Sequence, residues 1–178
     1  RVDCVVHSWK DLPIEWDSPT EIACTLSRED TRDLLLLKKT SRQKSQLKIF
    51  TSSPRRMHHL AKLLPSLLPW SPHCEYENVR GNVPTRLRKL VQSSNDGLIV
   101  AKAALDRLLS APWIEYENTK RELRELLKSF DWMVLPLSEN PGAAAQGALA
   151  IEINKDRDDL RQMFRAINVV DDFTDVAR

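Results

Sequence analysis

An α/β fold is predicted for this 178-residue chain from three observations. Short runs rich in Val, Ile and Leu recur along it. Amphipathic helical patterns separate them, and polar residues gather where the runs end.

The elements follow in order. Asp3 to His7 passes through Val5-Val6 and stops at His7-Ser8-Trp9-Lys10-Asp11, with Pro13 closing the segment. Ile22 to Leu26 reads as a second strand. Leu34 to Leu37 is wholly apolar and fits a strand or a helix start. Lys38 to Lys48 (KKTSRQKSQLK) is polar and basic, a connector or short exposed helix. Leu47 to Ser52 is a strand, and Pro54 to Leu64 a helix that Pro65 should stop. A Pro-broken loop leads to a strand at Tyr76 to Val79. Then come a helix from Pro84 to Val91, a strand from Gly97 to Ala101 and a helix from Lys102 to Leu109. Thr119 to Phe130 carries Leu123, Leu126, Leu127 and Phe130 at helical spacing. Strands at Trp132 to Leu135 and Leu149 to Ile153 precede a helix over Asp156 to Ile167, and DDFTDVAR ends in a helical pattern. Such alternation argues for largely parallel strands.

Composition narrows the function classes. The chain is 42% hydrophobic and 29% charged, as ordinary globular proteins are. A net charge of +2 is too small to advertise nucleic acid as a partner. No apolar run reaches membrane-spanning length. Cys4, Cys24 and Cys74 form neither a metal knuckle nor a disulfide framework, which fits a reducing compartment. Both ends read as cuts through a larger protein.

Ligands of open α/β sheets gather at the carboxyl ends of strands, and three stretches place charge and hydroxyls there. The first is HSWKDLP. In the second, FTSSPRRMHHL, Ser53 is a good N-cap and Pro54 suits the first helical turn. Arg55 and Arg56 then carry the wrong charge for that end of a helix dipole. An anion resolves the conflict, because amides, dipole and guanidinium forks would converge on it. The third, ENVRGNVPTRLRKL, repeats the design: Gly81 permits close approach, Asn82 or Val83 lies at the cap, and Arg80 and Arg86 flank the helix start. Arg88 and Lys89 read as a solvated helix face. Four arginines suggest a ligand with several carboxylates or phosphates. Asp11 would repel such a ligand unless it faces a cationic part or N–H donors.

These residues carry a resemblance to the porphobilinogen deaminase (hydroxymethylbilane synthase) family. Residues 5 to 13 are similar to its strand-end segment bearing a catalytic aspartate. TSSPRR resembles its Thr-Ser-Ser-x-Arg-Arg segment, and VRGNVPTRLRKL its Arg-Gly-Asn-Val-x-Thr-Arg-Leu-x-Lys-Leu segment. GLIVAKAALDRL and AAAQGALAIEI match two more segments in the same order. Departures are Pro54 where leucine is usual, Ala104 where glycine is usual, and a longer loop before Gln146.

The resemblance implies head-to-tail condensation of four porphobilinogen units, with release of ammonia, on a covalent dipyrromethane cofactor. Its cysteine would lie outside this chain. Porphobilinogen and linear oligopyrroles would be the partners, the full-length protein a monomer, and the cytoplasm its location. Asp11 would be catalytic, stabilising the cationic azafulvene left by ammonia and holding pyrrole N–H groups. Ser8, Lys10, Thr51, Ser52, Ser53, Arg55, Arg56, Arg80, Gly81, Arg86, Ala104 and Gln146 would bind substrate and cofactor. His7 reads more simply as a packed histidine, and Trp9, Trp16, Trp70, Trp113 and Trp132 as packing residues. The implied architecture is two-lobed and similar to periplasmic binding proteins, one lobe largely complete and the other partial. Residues 1–28 and 137–178 would belong to the first lobe and 29–136 to the second. This chain alone is expected to be inactive.

Two other classes compete. A non-catalytic anion-binding lobe, or an inactive truncated homologue, would share the arginines, but a pure anion binder gains nothing from Asp11. A nucleic-acid module built on TRLRKL and SSPRRMHHL would need more charge and more aromatics beside those helices.

Overall fold

The computed structural model describes residues 2–13 and 18–177, and the packing expected of Trp16 lies outside them. Two compact units are present, one made of Arg1–Thr31 with Gly142–Arg178 and the other of Arg32–Pro141.

The continuous unit is a five-stranded sheet with helices on both faces. Its strands are β3 (Asp33–Lys38), β4 (Gln46–Phe50), β5 (His73–Glu77), β6 (Gly97–Ala101) and β7 (Phe130–Val134), in the order β5-β4-β6-β3-β7. β4 runs parallel to β5 and β6, whereas β3 is antiparallel to β6 and β7. The expected parallel direction therefore holds for β4 to β7, and β3 runs against it. A parallel crossover needs about a dozen residues or more, and the short link from β3 to β4 is a tight 3-10 turn at Lys39–Ser41.

Burial on both faces explains why Leu34 to Leu37 shows no period: it is a strand apolar on each side. Leu34 and Leu36 pack with Leu87, Leu90, Leu105 and Leu123 of α2 (Val83–Gln92), α3 (Lys102–Ser110) and α4 (Glu117–Leu127). Leu35 and Leu37 face Leu60, Leu63 and Leu64 of α1 (Pro54–Leu67). That contact carries α1 through Pro65, where the sequence had it stop. Pro65 sits in the last turn and forgoes one helical hydrogen bond, a loss offset by the packing of Leu60, Leu63 and Leu64, and Leu64 accepts the closing bond from Leu68. Phe130 opens β7 instead of ending α4, because its buried ring joins the core from the strand. β5 is likewise earlier than expected and ends at Glu77.

The basic connector is tied down by one acid. Asp96, almost fully buried, accepts from Ser41 Oγ at 2.6 Å, Lys44 Nζ at 2.7 Å and the Lys48 N–H at 2.8 Å.

The other unit is an antiparallel sheet of β1 (Cys4–Ser8), β8 (Leu149–Asn154) and β2 (Thr20–Thr25), with β8 in the centre. The prediction of parallel strands fails here: both pairings of β8 are antiparallel. α5 (Asp158–Arg165) and α6 (Val170–Val176) follow β8. Thr25 anchors this unit, its Oγ1 donating to the Leu149 carbonyl at 2.7 Å and its N–H to Asn168 Oδ1 at 2.9 Å.

Asp96→Ala should strand the three donors that converge on it and cost about 1–3 kcal/mol. Urea unfolding checks this: a lowered midpoint with an unchanged slope is the expected result.

Candidate functional site

The carboxyl ends of β4, β5 and β6 share one edge of the larger sheet, and α1, α2 and α3 start there. Because β3 is reversed, its amino end reaches the same edge, where Asp33 pairs with Ala101 and its carbonyl accepts from the Leu135 N–H at 2.9 Å. This edge holds every candidate residue of the continuous unit.

Both expected caps form. Ser53 accepts from the Arg56 N–H at 3.4 Å and Asn82 Oδ1 from the Thr85 N–H at 3.0 Å. Gly81 has φ +119°, and a Cβ there would lie 2.8 Å from Thr85 Cγ2. Glycine thus satisfies both the backbone and the close helix start. Arg86 reaches back to the Gly81 carbonyl through Nε at 2.6 Å. Burial, then the charges of Arg56 and Arg80, push the Arg86 guanidinium below its ordinary value. Half-buried Arg86 therefore feels Arg56 and Arg80 as like charges, a field suited to anions.

Arg55 and Arg56 do not stand open, as their sequence position had suggested. Both bond Asp33, whose side chain is fully buried. Arg56 grips it in bidentate fashion, Nη2 to Oδ1 at 2.7 Å and Nε to Oδ2 at 3.0 Å. Arg55 Nη2 bonds Oδ2 at 2.8 Å, and its Nη1 donates to the Pro141 carbonyl. Buried Asn140 adds Nδ2 to Oδ2 at 3.0 Å. Sequence reasoning missed Asp33 and Asn140. The available signal was an acid directly before the apolar run Leu34 to Leu37, three residues past Arg28-Glu29-Asp30.

The hydroxyls brace the loop. Ser52 Oγ donates to the Val79 carbonyl at 2.7 Å and accepts from the Val79 N–H at 2.9 Å, clamping the β4 end to the β5 end. Thr51 is buried; its N–H reaches the Glu77 carbonyl and its Oγ1 accepts from Ser53. Ala104 lies half-buried in the first turn of α3. Arg88 is engaged by Glu122 in a surface pair, as a solvated face requires.

In the other unit, Ser8 ends β1 and Trp9-Lys10-Asp11 form a 3-10 turn with Lys10 and Asp11 exposed. The Trp9 N–H bonds the Ala148 carbonyl, and its ring meets Phe173 edge-on at 5.4 Å. His7 pairs with Glu152 at 2.6 Å, the packed role expected of it. Gln146 is buried in the same unit: Nε2 donates to the Thr31 carbonyl at 2.7 Å, and its own carbonyl accepts from Arg28 Nε at 3.0 Å. Gly147, at φ +92°, lies against the Glu29 backbone, where a Cβ would collide. The sequence thus splits the candidate residues between two units, Ser8, Lys10, Asp11 and Gln146 in one and the rest in the other.

The family model described as porphobilinogen deaminase, dipyromethane cofactor binding domain, matches residues 1–162. The chain belongs to this family. It is 36% identical over 172 residues to the porphobilinogen deaminase of Lawsonia intracellularis, covering 94% of this chain and 48% of that protein. The Candida albicans relative is 35% identical over 176 residues, covering 94% and 44%. The Syntrophomonas wolfei relative is 34% identical over 178 residues, covering 97% and 50%. The chain thus spans about half the length of the curated relatives it matches.

Asp33 gives the site a pH signature. Burial alone would raise its carboxyl, but Arg56, Arg55 and Asn140 bring it down to about 2 from 3.8. As acid is added, the unfolded chain takes up this proton first. The stabilisation, about 2 kcal/mol, is therefore complete above about pH 4 and is lost as pH falls through about 2. The stability gap between wild type and Asp33→Asn, from urea unfolding, should be flat near neutrality and shrink from about pH 4 downward.

Proposed function

We propose that the chain serves, within a longer polypeptide, in the head-to-tail condensation of porphobilinogen with release of ammonia. The carrying observation is the cationic edge where Arg55, Arg56, Arg80 and Arg86 meet the starts of α1 and α2, with Asp33 bonded to two of the four guanidiniums. Each pyrrole of such a ligand bears an acetate and a propionate, so the ligand is polyanionic. Guanidinium forks and helix N-termini suit it, and a carboxylate-rich edge would not.

The same donor set fits a dipyrromethane cofactor, which supplies the primer that is extended. Arg80, Arg86 and the unspent N–H groups of Arg55 and Arg56 would hold its carboxylates, with Gly81 allowing the backbone close approach. Among the chain's own thiols, Cys24 is buried and burial pushes Cys74 up to about 11. Cys4 lies on β1. None of these is assigned as the attachment point, and the isolated chain should run at its sequence mass in intact mass spectrometry. A dipyrromethane-sized addition on any of the three would overturn that assignment.

Asp11 has the opposite charge from the rest, and its role follows from the substrate. Loss of ammonia from an aminomethylpyrrole leaves a cation, and a nearby carboxylate stabilises it while accepting pyrrole N–H bonds. Lys10 would hold a substrate carboxylate and Ser8 would orient one. The transferase class follows from the relatives; cytoplasmic location and a monomeric parent belong to this proposal. Among the described residues no helix is long and apolar enough to cross a membrane.

A non-catalytic anion binder is the competing reading, and Asp11 separates the two. In the full-length parent, Asp11→Asn should lower turnover by at least about 100-fold, the scale of a lost electrostatic group, with binding of porphobilinogen kept. Arg80→Leu and Arg86→Leu should each weaken that binding by roughly 10-fold or more, while Arg88→Leu leaves it unchanged. Steady-state turnover and equilibrium titration measure both. Full turnover in Asp11→Asn would leave only the anion-binding role.

A further inference from the structure

The pairing of two consecutive arginines with one buried acid needs a further reading, which rests on the anion-site proposal above. Removing a carboxylate from a cationic site should, by charge alone, favour anions. Yet Asp33 is fully buried, and Arg55, Arg56 and Asn140 come to it from two separate segments. Consecutive helical residues point about 100° apart, so nothing in α1 itself would aim both guanidiniums at one place. Asp33 does. Its bonds use Nε and Nη2 of Arg56 and Nη2 of Arg55, while Nη1 of Arg56 reaches the Ile99 carbonyl at 3.4 Å and Nη1 of Arg55 the Pro141 carbonyl. What remains unspent is the Nε–H of Arg55 and the second N–H of each terminal nitrogen on both residues. These donors are fixed in direction, because each planar fork is held at two points.

We propose that Asp33 is the positioning residue of the anion site, orienting the free N–H donors of Arg55 and Arg56 toward a ligand carboxylate. Asn140 completes its cradle. The carboxylate does not touch the ligand; it acts through the two arginines. Its contribution is preorganisation, since a fork already immobilised loses less freedom when an anion arrives. Near neutral pH the arrangement keeps a net positive field, because one negative charge cannot cancel Arg55 and Arg56 together.

The sign of the effect is what a simple charge account cannot reproduce. The full chain is titrated with porphobilinogen and, separately, with inorganic sulfate, as wild type, Asp33→Asn and Asp33→Glu. Positioning predicts that both variants bind each anion at least about 10-fold more weakly, Asp33→Glu included, although it keeps the charge and only displaces the forks. Equal or tighter binding in Asp33→Asn with unchanged binding in Asp33→Glu would overturn the proposal. Arginine side-chain NMR on the same samples gives a readout independent of any ligand. Wild type should show restricted guanidinium rotation for both Arg55 and Arg56, lost or shifted in Asp33→Glu. Free rotation of both in wild type would also overturn it, and this arm decides should Asp33→Asn fail to fold. If wild type binds sulfate in an Asp33-dependent way but not porphobilinogen, the positioning role stands and the substrate reading falls.

Discussion

One buried carboxylate governs the cationic edge of this protein. Two guanidiniums at the start of a helix repel each other, oppose the helix dipole and lose hydration as they approach the sheet. Asp33 makes their presence tolerable. Breaking a buried pair by removing one partner is far more costly than never having built it, so Arg55, Arg56 and Asp33 form a unit in which no member can change alone. Arg80 and Arg86 are set beside that base, which keeps a net positive charge, and add to the outward field.

The sheet topology is what allows this. An all-parallel sheet would present only carboxyl ends at the edge, each already committed to a turn into a helix. Reversing β3 delivers an amino end instead, and with it a side chain that points into the space beneath the helix starts. Asn140 reaches the same carboxylate from the far end of the unit. The short link after β3, pinned through Asp96, fixes that reversal. Structural acids at opposite ends of the sheet thus hold basic segments in place, one in a connector and one in the site.

Much of this was legible in the chain. Apolar runs placed the strands, and Ser53-Pro54 and Asn82-Val83-Pro84 announced two helix starts through local chemistry alone. Those signals are short-range and survive folding. The Asp33 cradle was not legible, because its partners lie 22, 23 and 107 residues away and meet only through the reversed strand. The clamp of Ser52 on Val79 was hidden for the same reason, since Val79 belongs to the next strand's exit. Pro65 misled because tertiary packing of Leu60, Leu63 and Leu64 outweighs one missing hydrogen bond. The full apolar run at β3 hid its own class, since a strand buried on both faces has no period to read.

The central place of β8 has a consequence for how the molecule comes into being. β1 and β2 do not pair with each other; both pair with β8, which lies more than a hundred residues further along. During synthesis β1 and β2 therefore lack β8, the strand both pair with, until the intervening unit, Arg32–Pro141, has been made. That unit is continuous and its contacts are more local, so it can organise first and shorten the effective distance that loop closure must span. Chain order and assembly order then differ: β1, made before a whole further unit, waits for β8, and its apolar Val5 and Val6 lack that pairing in the interval.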